Sequence, residues 1–183
     1  MGNQNSVGWV STAALDHEEI ISIWVLAWKE MFKSFTNEEL HLKNETREEE
    51  FRKDIKRHLK DAINKRFLLY KTEKLTGFII VQDKKDYIQV YGVGLKPYSL
   101  YNLRTVSIAL FTKLQEDYPD KEFRGMVKAV NDRGKRLYRY LGAVECEDWR
   151  DSEYDEHHIP LRITSTAAKQ SATINSTTDL AIL

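Results

Sequence analysis

The chain carries two hydrophobic rhythms, one after the other. In its first third, Ile20, Ile21, Trp24, Trp28, Met31 and Phe32 recur at helical spacing. Asp16 stands just ahead of this run and Glu19 three residues on, the spacing of a capping box. So broad an apolar surface predicts a helix packed against a sheet. Residues 37–42 read as a short helical turn. A second helix opens at Thr46, again with a Glu three residues on, Glu49. Phe51, Ile55, Leu59, Ala62 and Ile63 form its apolar stripe. Arg52, Lys53, Lys56, Arg57 and Lys60 lie opposite, interspersed with Glu48, Glu49, Glu50 and Asp54, which marks a solvated face rather than a nucleic-acid surface.

The period then shortens to two. Residues 67–71, 77–82 and 87–95 read as strands, and their short connections predict antiparallel neighbours. Strict alternation along the longest places Ile88, Val90 and Gly92 on one face and Tyr87, Gln89, Tyr91 and Val93 on the other. Gly92 and Gly94 within it predict a bulge or a close approach by another group. A weaker strand is expected at 7–12. Pro97 breaks the pattern, and a helix follows over 100–115 with Val106, Ala109, Leu110 and Leu114 inward. Next come a strand at 124–130, a short helix opened by Asn131 and closed by Gly142, a strand at 143–149, an acidic turn at 151–155 and a strand at 158–164. Residues 165–183 turn to Ser, Thr and Ala and cannot build a core. The order predicts an α/β (α+β) fold: a mixed, mostly antiparallel sheet of six or seven strands with helices on both faces. One domain covers 1–164 and a tail covers 165–183. The tail has few apolar anchors, so ordering it calls for a protein partner.

Composition narrows the classes. The 183 residues carry 28 basic and 28 acidic side chains, so no global field calls for nucleic acid or an anionic membrane. The longest near-apolar run, 20–28, is too short to span a bilayer, and no signal peptide is read. A single cysteine, Cys146, fits a reducing compartment and a cytoplasmic location. Its thiol has no His or Asn placed by spacing as a partner, and no metal-ligand spacing is present.

The segment 123–143 carries the most specific pattern: a strand, Asn131, Gly134, Tyr138, Gly142 and Ala143. It resembles the last strand–helix unit of the GNAT acetyltransferase superfamily, N-x-x-A-x-x-x-Y-x-x-x-G-F, with Gly134 in place of Ala and Ala143 in place of Phe. The resemblance extends over roughly 7–163 and implies the GNAT fold and acetyl-CoA as cofactor. It implies that Asn131 contacts acetyl-CoA and that Tyr138 protonates the leaving thiolate. It also implies that Val93 and Leu95 offer backbone groups to the pantetheine. A second family pattern, [Q/R]-x-x-G-x-[G/A] at a helix N-terminus, binds the pyrophosphate. Here the matching register is Arg104, Ser107 and Ala109, with Ser where the family has Gly. Many family members place a Glu on the long central strand as base, and 87–95 has none; Gln89 and Tyr91 are the polar groups there. Glu145, His157 and His158 fall on later elements. Lys128, Arg133, Lys135, Arg136 and Arg139 cluster around the signature, and read as a solvated face or as a contact for the ribose phosphate.

Two readings follow. One is an N-acetyltransferase acting on a primary amine. The other is a GNAT-fold protein without catalysis, serving as a structural component. The segment after Leu141 is similar to small GNAT-like internal virion proteins of short-tailed bacteriophages, which would place the protein in a virion.

Overall fold

The computed structural model describes residues 5–42, 46–61, 63–97 and 100–164. Ala62 and the 165–183 tail, with the docking expected of it, lie outside the described residues. The elements run β1 (Ser6–Val10), α1 (His17–Met31), α2 (Arg47–Lys60), β2 (Arg66–Lys71), β3 (Leu75–Asp83) and β4 (Tyr87–Leu95). They continue with α3 (Leu100–Asp117), β5 (Glu122–Lys128), α4 (Asp132–Tyr140), β6 (Val144–Glu145) and β7 (His158–Ile163). The seven strands form one sheet in the order β1-β2-β3-β4-β5-β7-β6. Only β4 and β5 pair in parallel, which requires the long crossover that α3 supplies. The predicted mixed, mostly antiparallel sheet of six or seven strands is what forms.

Local signals place the helices. Asp16 Oδ1 accepts from the Glu19 N–H at 3.0 Å and starts α1. Thr46 and Glu49 complete a reciprocal capping box on α2; such caps contribute about 1 kcal/mol each. Residues 37–41 are a hydrogen-bonded turn that buries Leu40. The sheet is covered on both sides, so β3 reads as a continuous apolar run rather than an alternation. Ile79 and Val81 enter a core with Leu110, Phe111 and Leu114 of α3. Phe78 and Ile80 enter the opposite core with Trp24 of α1 and Ile55 of α2.

Three expectations need correction. The stripe of α2 does not reach Ile63, which is 97% exposed, because the helix ends at Lys60 and the chain turns through Asp61. The strand expected at 143–149 shrinks to Val144–Glu145, which pairs with Arg162 and Leu161 of β7; after one further bond, from the Cys146 N–H to the Pro160 carbonyl at 3.1 Å, the ladder ends. The alternation of β4 reverses after Tyr91: Val93 joins Ile88 and Val90 in the α3-side core, while Gly92 faces Trp24. A bulge causes this. Ile80 pairs with Gly92 and Val81 with Val90, leaving Tyr91 as the extra residue.

Candidate active site

The bulge positions the site. β4 and β5 pair from Tyr87 with Glu122 to Val90 with Gly125, and no further. Beyond that point β4 pairs only with β3, Val93 facing Ile79 and Leu95 facing Gly77. β5 pairs only with β7, Met126 facing Pro160. The sheet therefore divides into two wings, with a vertex at Val90 and Gly125. From Tyr91 on, the edge of β4 toward β5 is open, and backbone groups there are free of any β5 ladder. Aromatic rings press on this wing from behind: a Cβ at Gly92 would collide with the Trp24 ring and one at Gly94 with the Phe78 ring. Only glycine fits at either place.

Behind the vertex, on the α3 side, stands Tyr138. Asn131 ends β5's chain segment and caps α4, its Oδ1 accepting from the Gly134 N–H at 2.8 Å. Gly134 leaves room for that cap, since a Cβ would lie 2.5 Å from Asn131 Nδ2. Gly142 takes φ 83° just past the helix end. About two turns after the cap, the Tyr138 ring meets Phe111 edge-on, with centroids 6.0 Å apart. Its hydroxyl is 3.7 Å from where a Cβ of Gly125 would stand. Val90, Phe111, Gly125 and Tyr138 line a tight cleft at the vertex. Burial alone pushes the Tyr138 hydroxyl up to about 12, so it keeps its proton at neutral pH and can only donate it.

The remaining positions separate. Val93 and Leu95 lie on the open wing of β4, Tyr138 stands at the vertex beside Val90 and Gly125, and Asn131 lies past the end of β5 at the start of α4. Arg104, Ser107 and Ala109 are the fifth, eighth and tenth residues of α3, inside the helix rather than at its start. Arg104 stacks on the Tyr140 ring at 4.4 Å and donates to its hydroxyl at 2.6 Å, tying α3 to α4. Ser107 is 1% exposed and donates back to the Leu103 carbonyl at 2.8 Å, so its hydroxyl is committed within the helix. Ala109 packs against the α3-side core. Of the basic cluster, Lys128 donates to the Leu40 carbonyl at 3.0 Å, and Arg139 pairs with Glu145 at 3.2 Å. Cys146 is buried, and burial raises its thiol. His157 stacks on His41, and His158 bonds Asp155 at 2.7 Å.

The opposite face of the vertex holds Gln89 and Tyr91, the polar groups expected on β4, together with His58, Lys65, Asp54 and Asp151, for which the sequence suggests no joint site. Gln89, 1% exposed, donates through Nε2 to Asp151 Oδ2 at 2.8 Å. The Tyr91 hydroxyl donates to Gln82 Oε1 at 2.7 Å, and its ring lies under the Lys65 ammonium at 4.0 Å. Lys65 Nζ is 3.1 Å from His58 Nδ1, and Asp54 Oδ1 is 3.7 Å from His58 Nε2. Burial drives His58 down to about 3 and lowers Lys65, while it raises Asp54. Tyr154 covers the group, its hydroxyl 3.5 Å from the Tyr91 carbonyl. The sequence held one clue: His58 falls three residues after Ile55, on the apolar stripe of α2, where a polar side chain must find buried partners.

A mixed seven-stranded sheet that splits between its fourth and fifth strands, with a tyrosine-bearing helix after the fifth, is the fold of the GNAT N-acetyltransferases. The PaiA N-acetyltransferase of Thermoplasma acidophilum, solved with coenzyme A, matches at a TM-score of 0.60 and 18% identity, over 88% of this chain and 99% of that one. The ribosomal-protein-S18-alanine N-acetyltransferase of Escherichia coli matches at 0.56 and 17%, over 88% and 94%. A GNAT-family protein from Desulfovibrio desulfuricans matches at 0.57 and 14%, over 88% and 99%. No protein-family profile matches the sequence, and no curated protein matches it. These neighbours give no support to the bacteriophage likeness. Among the described residues, no helix is long and apolar enough to cross a membrane.

Proposed function

We propose that the protein is an N-acetyltransferase that moves an acetyl group from acetyl-CoA to a primary amine. The observation that carries this reading is the vertex. An open backbone edge on β4 lies beside a half-buried tyrosine that holds its proton at neutral pH.

The donor fits the gap between the wings. The backbone of Val93 and Leu95 would pair with the pantetheine amides in place of the missing β5 ladder, and Asn131 would border the same arm. When bound, acetyl-CoA supplies an acetyl group already activated as a thioester. Tyr138, placed at Gly125, would give its proton to the departing sulfur. For the pyrophosphate, Arg104 is the one exposed cation of the α3 register, and it would reach an anion only by leaving Tyr140. A cavity of about 200 Å³ opens beside Asn131 between the end of α1 and the start of α4, bordered by Glu30, Phe35 and Arg133.

The test is thiol release from acetyl-CoA in the presence of a panel of primary amines. Amine-dependent release with acetylated product supports the reading. Absence of both, with the protein folded, overturns it.

A further inference from the structure

An amine reaches an enzyme at neutral pH mostly as an ammonium ion, so the acetyl transfer proposed above needs a group that removes a proton. β4 carries no carboxylate over the stretch that borders the vertex. The structure brings one to it from another element. The segment between β6 and β7 folds back over β4 and lays Asp151 on Gln89, one residue before the point where β4 and β5 part.

We propose that Asp151 is the catalytic base, held at the vertex by Gln89, and that it takes a proton from the acceptor ammonium on the face of the sheet opposite Tyr138. This rests on the acetyltransferase reading.

Four observations support the assignment. Asp151 is fixed from two sides, Oδ2 by the buried Gln89 amide and Oδ1 by the Glu153 N–H at 2.9 Å, yet it remains half-exposed and can be reached. Each oxygen of a carboxylate has a further lone pair, so both hydrogen bonds leave acceptor capacity. The neighbouring carboxylates are engaged with cations: Asp54 with Arg57 at 3.1 Å, Glu153 with Arg57 at 3.8 Å and Asp61 with Lys65 at 3.7 Å. Asp151 makes no ion pair among the described residues.

The other titratable groups on this face fit the task poorly. His58 is 1% exposed, with its Nδ1 already at the Lys65 ammonium. The Tyr91 and Tyr154 hydroxyls are raised by burial and hold their protons. Finally, Tyr154 is tied to both strand and segment, its N–H donating to the Asp151 carbonyl at 3.1 Å and its hydroxyl lying 3.5 Å from the Tyr91 carbonyl, which keeps the Asp151 segment on β4 at the vertex. Acid and base thus approach the vertex from opposite faces without neutralising each other.

The protons balance. Asp151 takes one from the ammonium and leaves a free amine. The nitrogen lone pair forms the bond to the acetyl carbon, and the carbon–sulfur bond breaks with its electrons on sulfur. Tyr138 gives its proton to that sulfur and is restored by the second proton of the nitrogen. The products are the amide and the free thiol, and Asp151 returns its proton to water.

The experiment compares wild type, Asp151→Asn and Gln89→Leu in acetyl-CoA titrations and in thiol release with two amines. One is an alkylamine, ionised at neutral pH. The other is trifluoroethylamine, largely unprotonated there. Asp151→Asn should lower kcat/KM for the alkylamine by about 10²–10³. It should leave acetyl-CoA affinity unchanged and leave the trifluoroethylamine rate within a few-fold of wild type. Gln89→Leu should give a smaller loss with the same dependence on the amine. Equal losses with both amines would assign Asp151 a structural role and overturn the proposal, as would full alkylamine activity in Asp151→Asn; in the latter case the acetyltransferase reading stands. A wild type inactive toward every amine would remove that reading and this proposal with it.

Discussion

The two faces of the sheet at the vertex are built from opposite chemistries. On the α3 side Tyr138 lies against Phe111, Val90 and Gly125, and burial alone acts on its hydroxyl. On the α1 and α2 side, Gln89, Tyr91, His58, Lys65, Asp54 and Asp151 form a linked polar group beneath Tyr154. A dry face keeps a weak acid protonated. A polar face keeps carboxylates in contact with cations and with β4. One sheet thus carries a dry face with a protonated tyrosine and a polar face with hydrogen-bonded carboxylates.

The largest effect expected from breaking this contrast is on the dry face. Tyr138→Phe removes the donor and keeps the ring against Phe111. Turnover should fall by about 10²–10⁴, the range for loss of a general acid, with acetyl-CoA affinity retained in a calorimetric titration. On the other face, Gly92→Ala drives a methyl into the Trp24 ring beneath the bulge. Overpacking of this kind costs about 1–3 kcal/mol, and urea unfolding should show that loss without a change in slope.

A third prediction uses pH. His58 in the fold titrates at about 3, below its ordinary 6.5. As pH falls through 6.5 the unfolded chain takes up a proton that the fold refuses. Stability from this group is therefore complete above about 6.5 and is lost between there and about 3, with a slope approaching about 1.4 kcal/mol per pH unit. Asp54, raised by burial, acts in the opposite sense on the acid side. The comparison is thus with His58→Leu, whose unfolding free energy should fall less steeply between pH 6.5 and 5. An identical slope would show that His58 does not carry the dependence. The smallest effect is at Ser107. Its hydroxyl bonds its own helix, so Ser107→Ala should change stability by no more than about 1 kcal/mol and leave acetyl-CoA affinity as it was.

Much of the frame could be read from the chain. Caps at Asp16, Thr46 and Asn131 and the glycine at 142 are local signals, and each sits where it was expected because a cap needs only its own helix. Gly92 and Gly94 predict a bulge or a close approach by another group, and both occur, with Tyr91 as the extra residue and the Trp24 and Phe78 rings against the two glycines; the reversal at Val93 is not legible, since inserting one residue exchanges the faces of all that follow. The Asn131 to Tyr138 spacing pointed to the vertex. His58 carries a local signal, its place on the apolar stripe of α2, but Asp151 and Lys65 carry none, because contacts across 62 positions for Gln89 and Asp151 and the packing of Lys65 against His58 and Tyr91 exist only in the fold. Arg104 and Ser107 fitted a sequence pattern, but α3 begins at Leu100, four residues earlier than that pattern requires, so the register falls within the helix.

Hydrogen exchange with and without acetyl-CoA tests the central claim most directly, that the gap between the wings of the sheet receives the donor. Amides of residues 91–95 on β4 and those opening α4 at 132–135 should gain protection together on addition of acetyl-CoA, with little change along β1 and β2. Protection confined to other elements, or none at all at saturating acetyl-CoA, would contradict the account.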